Sequence, residues 1–414
     1  MPKNKRAKKK IIQPRSNTVI PSIPLAKIKV VGIGGGGGNA VARMSQNFVR
    51  GIEFIAINTD HQDLDYCEVK KKCYIGRNLT KGLGTGMNPE IGRQAAEENR
   101  SEIAEALAGA DIVFIAAGFG GGTGTGSGPV VAEIAKQQGA LTLAFVTKPF
   151  AFEGGQRDRI AQEGLLKIKD KVDALVVIPN DRIFTVISKD TPILKAFEAI
   201  DEVLRNALQG LVEIILSPGM INVDFADVRA ILQDAGTAIV GVGITSGQDR
   251  AAAAVQQALH SPLLEVSPKG AKGILFGISG GRDMKMTEIN DAAKLISQVA
   301  DPSAKIIFGA YYDRKLKPNQ IKITVIATGF NSNVESGSLF EDKVAESKSS
   351  SIFDEIIPLE KKSNDKGLDR DSLRRGDKEL GLDDFIGTSP KKSESKKKDD
   401  DVWDIPTFLR KKKR

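Results

Sequence analysis

Residues 118–129 read GFGGGTGTGSGP, and seven of the twelve are glycine. The run follows directly on an apolar stretch, DIVFIAA at 111–117. Ordering a glycine costs more backbone entropy than ordering any other residue. Seven of them at the end of a buried strand mark a place where backbone must come very close to something. A second run, GIGGGGGN at 32–39, closes another apolar stretch, AKIKVVGIG.

Gly32, Gly34 and Gly37 fit the dinucleotide pattern G-x-G-x-x-G, with Asp60 at about the expected distance downstream. Taken alone, that run favours a Rossmann domain for NAD. No G-x-x-x-x-G-K-[ST] is present, which excludes the ordinary P-loop. A dinucleotide needs one glycine-rich turn, whereas this chain has two, after its first and third predicted strands. A third loop, LTKGLGTGMNP at 79–89, repeats the chemistry. Each long run precedes a helical pattern, whose N-terminus offers free N–H groups and a positive dipole end. Thr123, Thr125 and Ser127 add hydroxyls. The expected result is a phosphate cradle made of backbone. Tight strand-to-helix turns alone would explain two or three glycines, not two long runs.

Around these runs, short apolar strands alternate with helical patterns. The strands are IEFIAIN, DIVFIAAG, ALTLAFVT and VDALVVIPN. PEIGRQAAEENRSEIAEAL (89–107) is expected to be one helix, and PVVAEIAKQQG (129–139) another that ends at Gly139. Nearly all-apolar strands alternating with helices predict a parallel sheet covered on both faces. A long helix is predicted over 193–216. Beyond 235, four strands and two helices form a smaller unit.

The expected class is α/β. An N-terminal Rossmann-like parallel-sheet domain (27–192) leads through the central helix (193–216) to a C-terminal α/β domain (217–330). Residues 1–26 hold seven Lys or Arg and no acid, and are expected to be a disordered basic arm. Residues 331–400, rich in Ser, Lys, Asp and Glu, are expected to be a disordered linker. Residues 401–414, DVWDIPTFLRKKKR, hold the only Trp and read as a partner-binding peptide.

The net charge of +8 resides largely in the basic arm. The near-neutral body lacks the basic composition that nucleic acid would require. Cys67 and Cys73 are the only cysteines, and His61 and His260 the only histidines. They are too few for a disulfide scaffold or a four-cysteine metal site. No apolar run approaches the 18 residues of a membrane span, so a cytoplasmic protein is expected.

GGGTGTG (120–126) resembles the signature loop of the tubulin and FtsZ superfamily. GGGGNAV (35–41), INTD (57–60), FAFEGGQR (150–157), PNDR (179–182), AFEAIDEVL (196–204), NVDFADVR (222–229) and DIPTFLR (404–410) agree in order and spacing with bacterial FtsZ. The resemblance implies GTP, carried with Mg2+, and a fold in which Gly35, Gly36, Gly37, Gly38 and Asn39 face the phosphates together with Gly122, Thr123 and Gly124. It implies Glu153 and Arg157 at the ribose and phosphate region, and Asn180, Phe197 and Asp201 at the guanine. A carboxylate at Asp201 accepts from guanine N1–H and N2–H₂ but repels the acceptor N1 of adenine. Read without the family, Phe197 is a core residue and Glu153 with Arg157 an i,i+4 ion pair.

Asp224 and Asp227 stand i,i+3. Their local reading is an N-cap and a first-turn acid of the helix FADVRAILQ. The resemblance adds that both reach the GTP of the next subunit, where they polarise the attacking water. It implies head-to-tail filaments, hydrolysis that depends on assembly, and a division ring at mid-cell on the inner face of the membrane. The last residues would bind membrane-tethering and regulatory partners through Ile405, Pro406, Phe408 and Leu409, with i,i+3,i+4 spacing of the apolar three. An NAD-dependent oxidoreductase and a non-hydrolysing scaffold of the same fold are the competing readings.

Overall fold

The computed structural model describes residues 26–46, 51–188, 190–261 and 267–330. The basic arm, the linker and the terminal peptide with Ile405, Pro406, Phe408 and Leu409 lie outside the described residues, apart from residue 26.

The first sheet is built from β1 (Ile28–Ile33), β2 (Ile52–Asn58), β3 (Lys71–Tyr74), β4 (Ile112–Gly118), β5 (Leu141–Lys148) and β6 (Ala174–Pro179). Its order is β3-β2-β1-β4-β5-β6 and every pairing is parallel. This is the doubly wound order, whose switch point lies between β1 and β4. Successive side chains of a strand point to opposite faces. Val30, Phe114 and Phe145 therefore pack in one core, and Val31, Val113 and Ile115 in the core on the other side. Burial on both faces is why these strands carry so few polar residues.

The helices of this half are α1 (Gly34–Gln46), α2 (His61–Tyr66), α3 (Arg77–Thr80), α4 (Pro89–Glu98), α5 (Arg100–Leu107), α6 (Thr123–Gln137) and α7 (Gly155–Lys169). Two differ from the sequence expectation in where they start. α1 opens at Gly34 and α6 at Thr123, so both glycine runs supply the first helical turns. The 89–107 stretch is two helices rather than one. Asn99 leaves helical geometry at φ −105°, ψ 25°, and its side-chain oxygen accepts the Gly76 N–H at 2.8 Å.

The central helix α8 (Ile193–Leu216) leads to β7 (Gly219–Ile221) and α9 (Phe225–Leu232). The second half holds β8 (Gly236–Ser246), α10 (Arg250–Leu259), β9 (Ala271–Gly280), α11 (Met286–Val299), β10 (Ala300–Tyr312) and β11 (Gln320–Thr328). Its sheet is mixed: β11 runs antiparallel to β8 and β9, β9 parallel to β10, and β10 antiparallel to β7. A third core, with Phe276, Ile278, Ile323 and Val255, fills it.

The two sheets are joined edge to edge by two residue pairs only, Ala174 with Gly236 and Leu175 with Thr237. The C-terminal half of α8 is fastened to the second sheet. Tyr311 donates its hydroxyl to Ile214 O at 2.8 Å, and Lys322 pairs with Glu213. A side chain at Gly210 would overlap Thr324, so the glycine lets helix and strand approach.

Candidate nucleotide site

A cleft opens at the C-terminal ends of β1, β4, β5 and β6. Gly36, Gly37 and Asn39 of α1 form one wall, and Ala116, Ala117 and Gly118 lie at the end of β4. Thr147 and Asn180 close the far side, and Phe197 and Asp201 of α8 line the remaining wall. In an open doubly wound sheet, ligands sit in this crevice at the switch point.

The glycines divide by what holds them. A Cβ at Gly37 would overlap Ala116 O, at Gly124 Gly118 O, and at Gly122 the Thr85 hydroxyl. Gly34 and Gly120 have φ of +69° and +104°. Those positions are glycine for the fold. At Gly36, a Cβ would meet nothing nearer than 3.7 Å, and at Gly38 and Gly121 nothing within 4 Å. Gly36 is exposed and faces the cleft. Fold packing does not require that glycine, and its lack of a side chain leaves room for an anion to approach the backbone closely.

Gly122 caps α6 and brings no side chain, so the first N–H groups of the helix have no side-chain acceptor there. The Thr123 hydroxyl is engaged with that of Thr59 at 2.7 Å, and with Thr85 at 3.4 Å. Thr125 accepts the Gly120 N–H at 3.0 Å. These hydroxyls brace the loop, leaving backbone amides as its free donors.

Phe197 is 42% exposed and so is not a core residue. Its ring meets Phe150 at 5.6 Å in a T-shaped arrangement. Asp201, one turn on, is largely buried. Arg43 Nη2 lies 2.7 Å from its Oδ2. Burial pushes the Asp201 carboxyl up to about 6, with Arg43 pulling it down and Glu198 pushing it further up. Asn180 Oδ1 is buried and has no hydrogen-bond partner among the described residues. Buried acceptors without donors are costly. That acceptor and the Asp201 carboxylate beside Arg43, in one cleft, fit a ligand edge that presents N–H groups, as guanine does with N1–H and N2–H₂.

Glu153 and Arg157 pair with each other at 2.6 Å. Glu153 also accepts the Phe150 N–H at 2.9 Å. Arg157 abuts the glycine loop, since a Cβ at Gly120 would come within 3.4 Å of its Cβ. Both stand beside the phosphate loop without lining the cleft. Gly35 and Gly38 likewise lie on α1 without lining it.

Asp224 and Asp227 are elsewhere. Asp224 caps α9, accepting the Asp227 N–H at 2.7 Å. Two residues past Asp227, Arg229 donates to Gly139 O at 3.0 Å, just before β5. Past the end of α9, Asp234 pairs with Lys136 of α6 at 2.7 Å, and its N–H reaches Asp173, just before β6. α9 is thus anchored at the N-terminal edge of the first sheet. The cleft is at the other edge, about 25 Å away along an eight-residue strand.

Arg43, Thr147, Thr59 and Thr85 were not predicted from the sequence. Arg43 was accessible to it, since it follows Asn39 by four residues on α1 and shares that residue's face.

A nucleotide-binding α/β protein with a phosphate cradle at the sheet switch point is the class these features define. Family models agree: residues 27–188 match the Tubulin/FtsZ family GTPase domain, and 236–331 the FtsZ family C-terminal domain. An FtsZ from M. jannaschii, solved as an empty dimer, is 47% identical over 75% of this chain and 90% of its own, at TM-score 0.70. A mutant of M. jannaschii FtsZ is 46% identical over 74% and 92%, also at 0.70. CetZ2 from Haloferax volcanii, solved as a GTPγS-bound protofilament, shares the fold at 23% identity, over 75% and 96%, at 0.64. The chain belongs to the tubulin/FtsZ family and is a GTPase.

Proposed function

We propose that this GTPase assembles head to tail into filaments and hydrolyses GTP where two subunits meet. The observation that carries the reading is the placement of Asp224 and Asp227. They sit at the opposite edge of the sheet from the cleft of their own chain. Acids so placed reach a nucleotide only in a neighbour stacked on that edge. Such a contact joins unlike surfaces and extends indefinitely. The dimer and protofilament forms of the solved relatives support self-association.

In this reading Gly36, Gly37, Asn39 and the amides of 122–124 hold the phosphates, with Arg157 and Glu153 beside them. Asn180 and Asp201 take the guanine edge, and Phe197 its face. The neighbour's Asp224 and Asp227 orient and polarise the attacking water. Among the described residues no group of three or more His, Cys, Asp or Glu could hold a metal. A magnesium ion, which would offset phosphate charge, would therefore be held chiefly by the nucleotide.

The likeness to FtsZ favours a role in a division ring at mid-cell, with Ile405, Pro406, Phe408 and Leu409 binding a membrane tether. No helix among the described residues is long and apolar enough to cross a membrane.

Light scattering and phosphate release in one cuvette test the assembly reading, with GTP, GDP and NAD compared. GTP alone should raise scattering, and release should begin with it. Mixing Asp227→Ala with a nucleotide-deficient Gly36→Val should give more turnover than the average of the two, since one supplies nucleotide and the other the acids. Strictly averaged rates at every ratio would overturn the shared site.

A further inference from the structure

Arg43 stands on α1, and its partner Asp201 on α8, across the same cleft. The guanidinium is 2.7 Å from Asp201 Oδ2, an ion pair that balances charge at one carboxylate oxygen. A carboxylate has about four lone-pair sites, so one cation beside it does not exhaust them. Arg43 itself is 42% exposed along its side chain, against 16% for Asp201, so it can shift as a ligand enters.

We propose that Arg43 is a specificity-determining residue of the base site, neutralising Asp201 across the cleft while leaving lone pairs of the carboxylate for the base. The proposal rests on the assignment of Asp201 to the guanine edge. Guanine N1–H and N2–H₂ need an ionised acceptor. A protonated carboxyl would present a donor to a donor. The other side chains around the carboxylate do not supply this balance. Thr147 and Asn180, from β5 and the turn after β6, are uncharged, and Glu198 on α8 is an acid that opposes ionisation. Burial already raises the Asp201 carboxyl to about 6 with Arg43 in place. Removing Arg43 raises it further, so protonation of the site extends to higher pH.

The sign follows directly. Loss of Arg43 should weaken guanine binding most below neutrality, and the defect should shrink as pH rises and Asp201 ionises unaided. Equilibrium binding of GDP and IDP to the full chain, below its assembly concentration, reads this at pH 6.5 and 8.5. IDP lacks the 2-amino group. Arg43→Ala should lose about threefold in GDP affinity at pH 6.5, the effect of a rise of about one pKa unit from about 6, and almost nothing at pH 8.5. Its preference for GDP over IDP should fall at the lower pH. Arg43→Lys should restore both, and Arg43→Gln replaces Ala where Ala does not fold. Parallel losses at both pH values, or a Lys variant as impaired as Ala, would overturn the proposal. Asp201→Asn is the control for the assignment beneath it. If Asn leaves the GDP preference intact, the guanine assignment fails. If Asn abolishes it while Arg43→Ala does not alter the pH profile, only the role of Arg43 fails.

Discussion

Gly36 and Gly37 are neighbours with different reasons to be glycine. A methyl at Gly37 would collide with Ala116 O, whereas one at Gly36 would make only ordinary contact with Gly118, at 3.7 Å. Gly37→Ala should therefore lower the melting temperature of the nucleotide-free protein by several degrees, an overpacking cost of about 1–3 kcal/mol. Gly36→Ala should melt near wild type and bind GTP at least tenfold more weakly. Differential scanning fluorimetry with and without GTP separates the two. Asp201 gives a second residue-level expectation. Its folded carboxyl, at about 6, lies above the ordinary value of 3.8. The folded chain thus holds the proton more tightly, and stability falls as pH rises from about 4 towards 6. Above that the cost is fully present. Asp201→Asn should stabilise the nucleotide-free protein by about 2 kcal/mol at pH 7.5 and by little at pH 4, in denaturant titrations at both. Asn39, Asn180, Phe197 and Asp201 were legible in the sequence because each sits inside a motif. The Arg43 ion pair was not, because it joins helices 158 positions apart and no local spacing reveals it.

The elements were legible wherever apolar period was strong. Four of the five strands of the second sheet, β8 to β11, and the span of α8 are visible as patterns. The starts of α1 and α6 were obscured because glycine is a poor helix former, and tertiary contacts at Gly37 and Gly124 override that preference. β3 and β7 have four and three residues, too short for periodicity. The break at Asn99 depends on its bond to Gly76, a contact no local rule foresees. α8 shows how one element serves two ends of the molecule. Its first turns carry Phe197 and Asp201 into the cleft, and its last turns are tied to β10 and β11. Tyr311→Phe removes the hydroxyl that Ile214 O accepts, while the apolar packing of the ring remains. It should cost about 1 kcal/mol in a urea titration and leave GDP affinity within about twofold, because the bond is more than two turns from Asp201.

For the whole molecule, the terminal peptide and the catalytic body should be separable. Removing 404–414 deletes Ile405, Phe408 and Leu409 and touches no residue of the cleft or of α9. GTP turnover should stay within about twofold of wild type while co-sedimentation with a membrane tether is lost. A large fall in turnover would show that the peptide acts on the body. The separation between cleft and α9 is implied by the family resemblance and by no local spacing. It depends on sheet direction, on Arg229 reaching Gly139 O, and on Lys136 clasping Asp234.

The join between the sheets has a mechanical meaning. Two backbone pairs, Ala174 with Gly236 and Leu175 with Thr237, are all that stitch β6 to β8. If subunits stack along the line from cleft to α9, a filament pulled lengthwise loads this seam and α8 in parallel. A short stitch at a strand end peels one bond at a time, whereas β11 is sewn to both its neighbours along most of its length. Optical-tweezer pulling on the body should therefore show an early, low-force extension before either half unravels. A disulfide across the seam, through Leu175→Cys and Thr237→Cys, should erase that step and leave the later ruptures in place. The seam would then serve as the compliant link of the polymer, setting how far each subunit bends before it breaks.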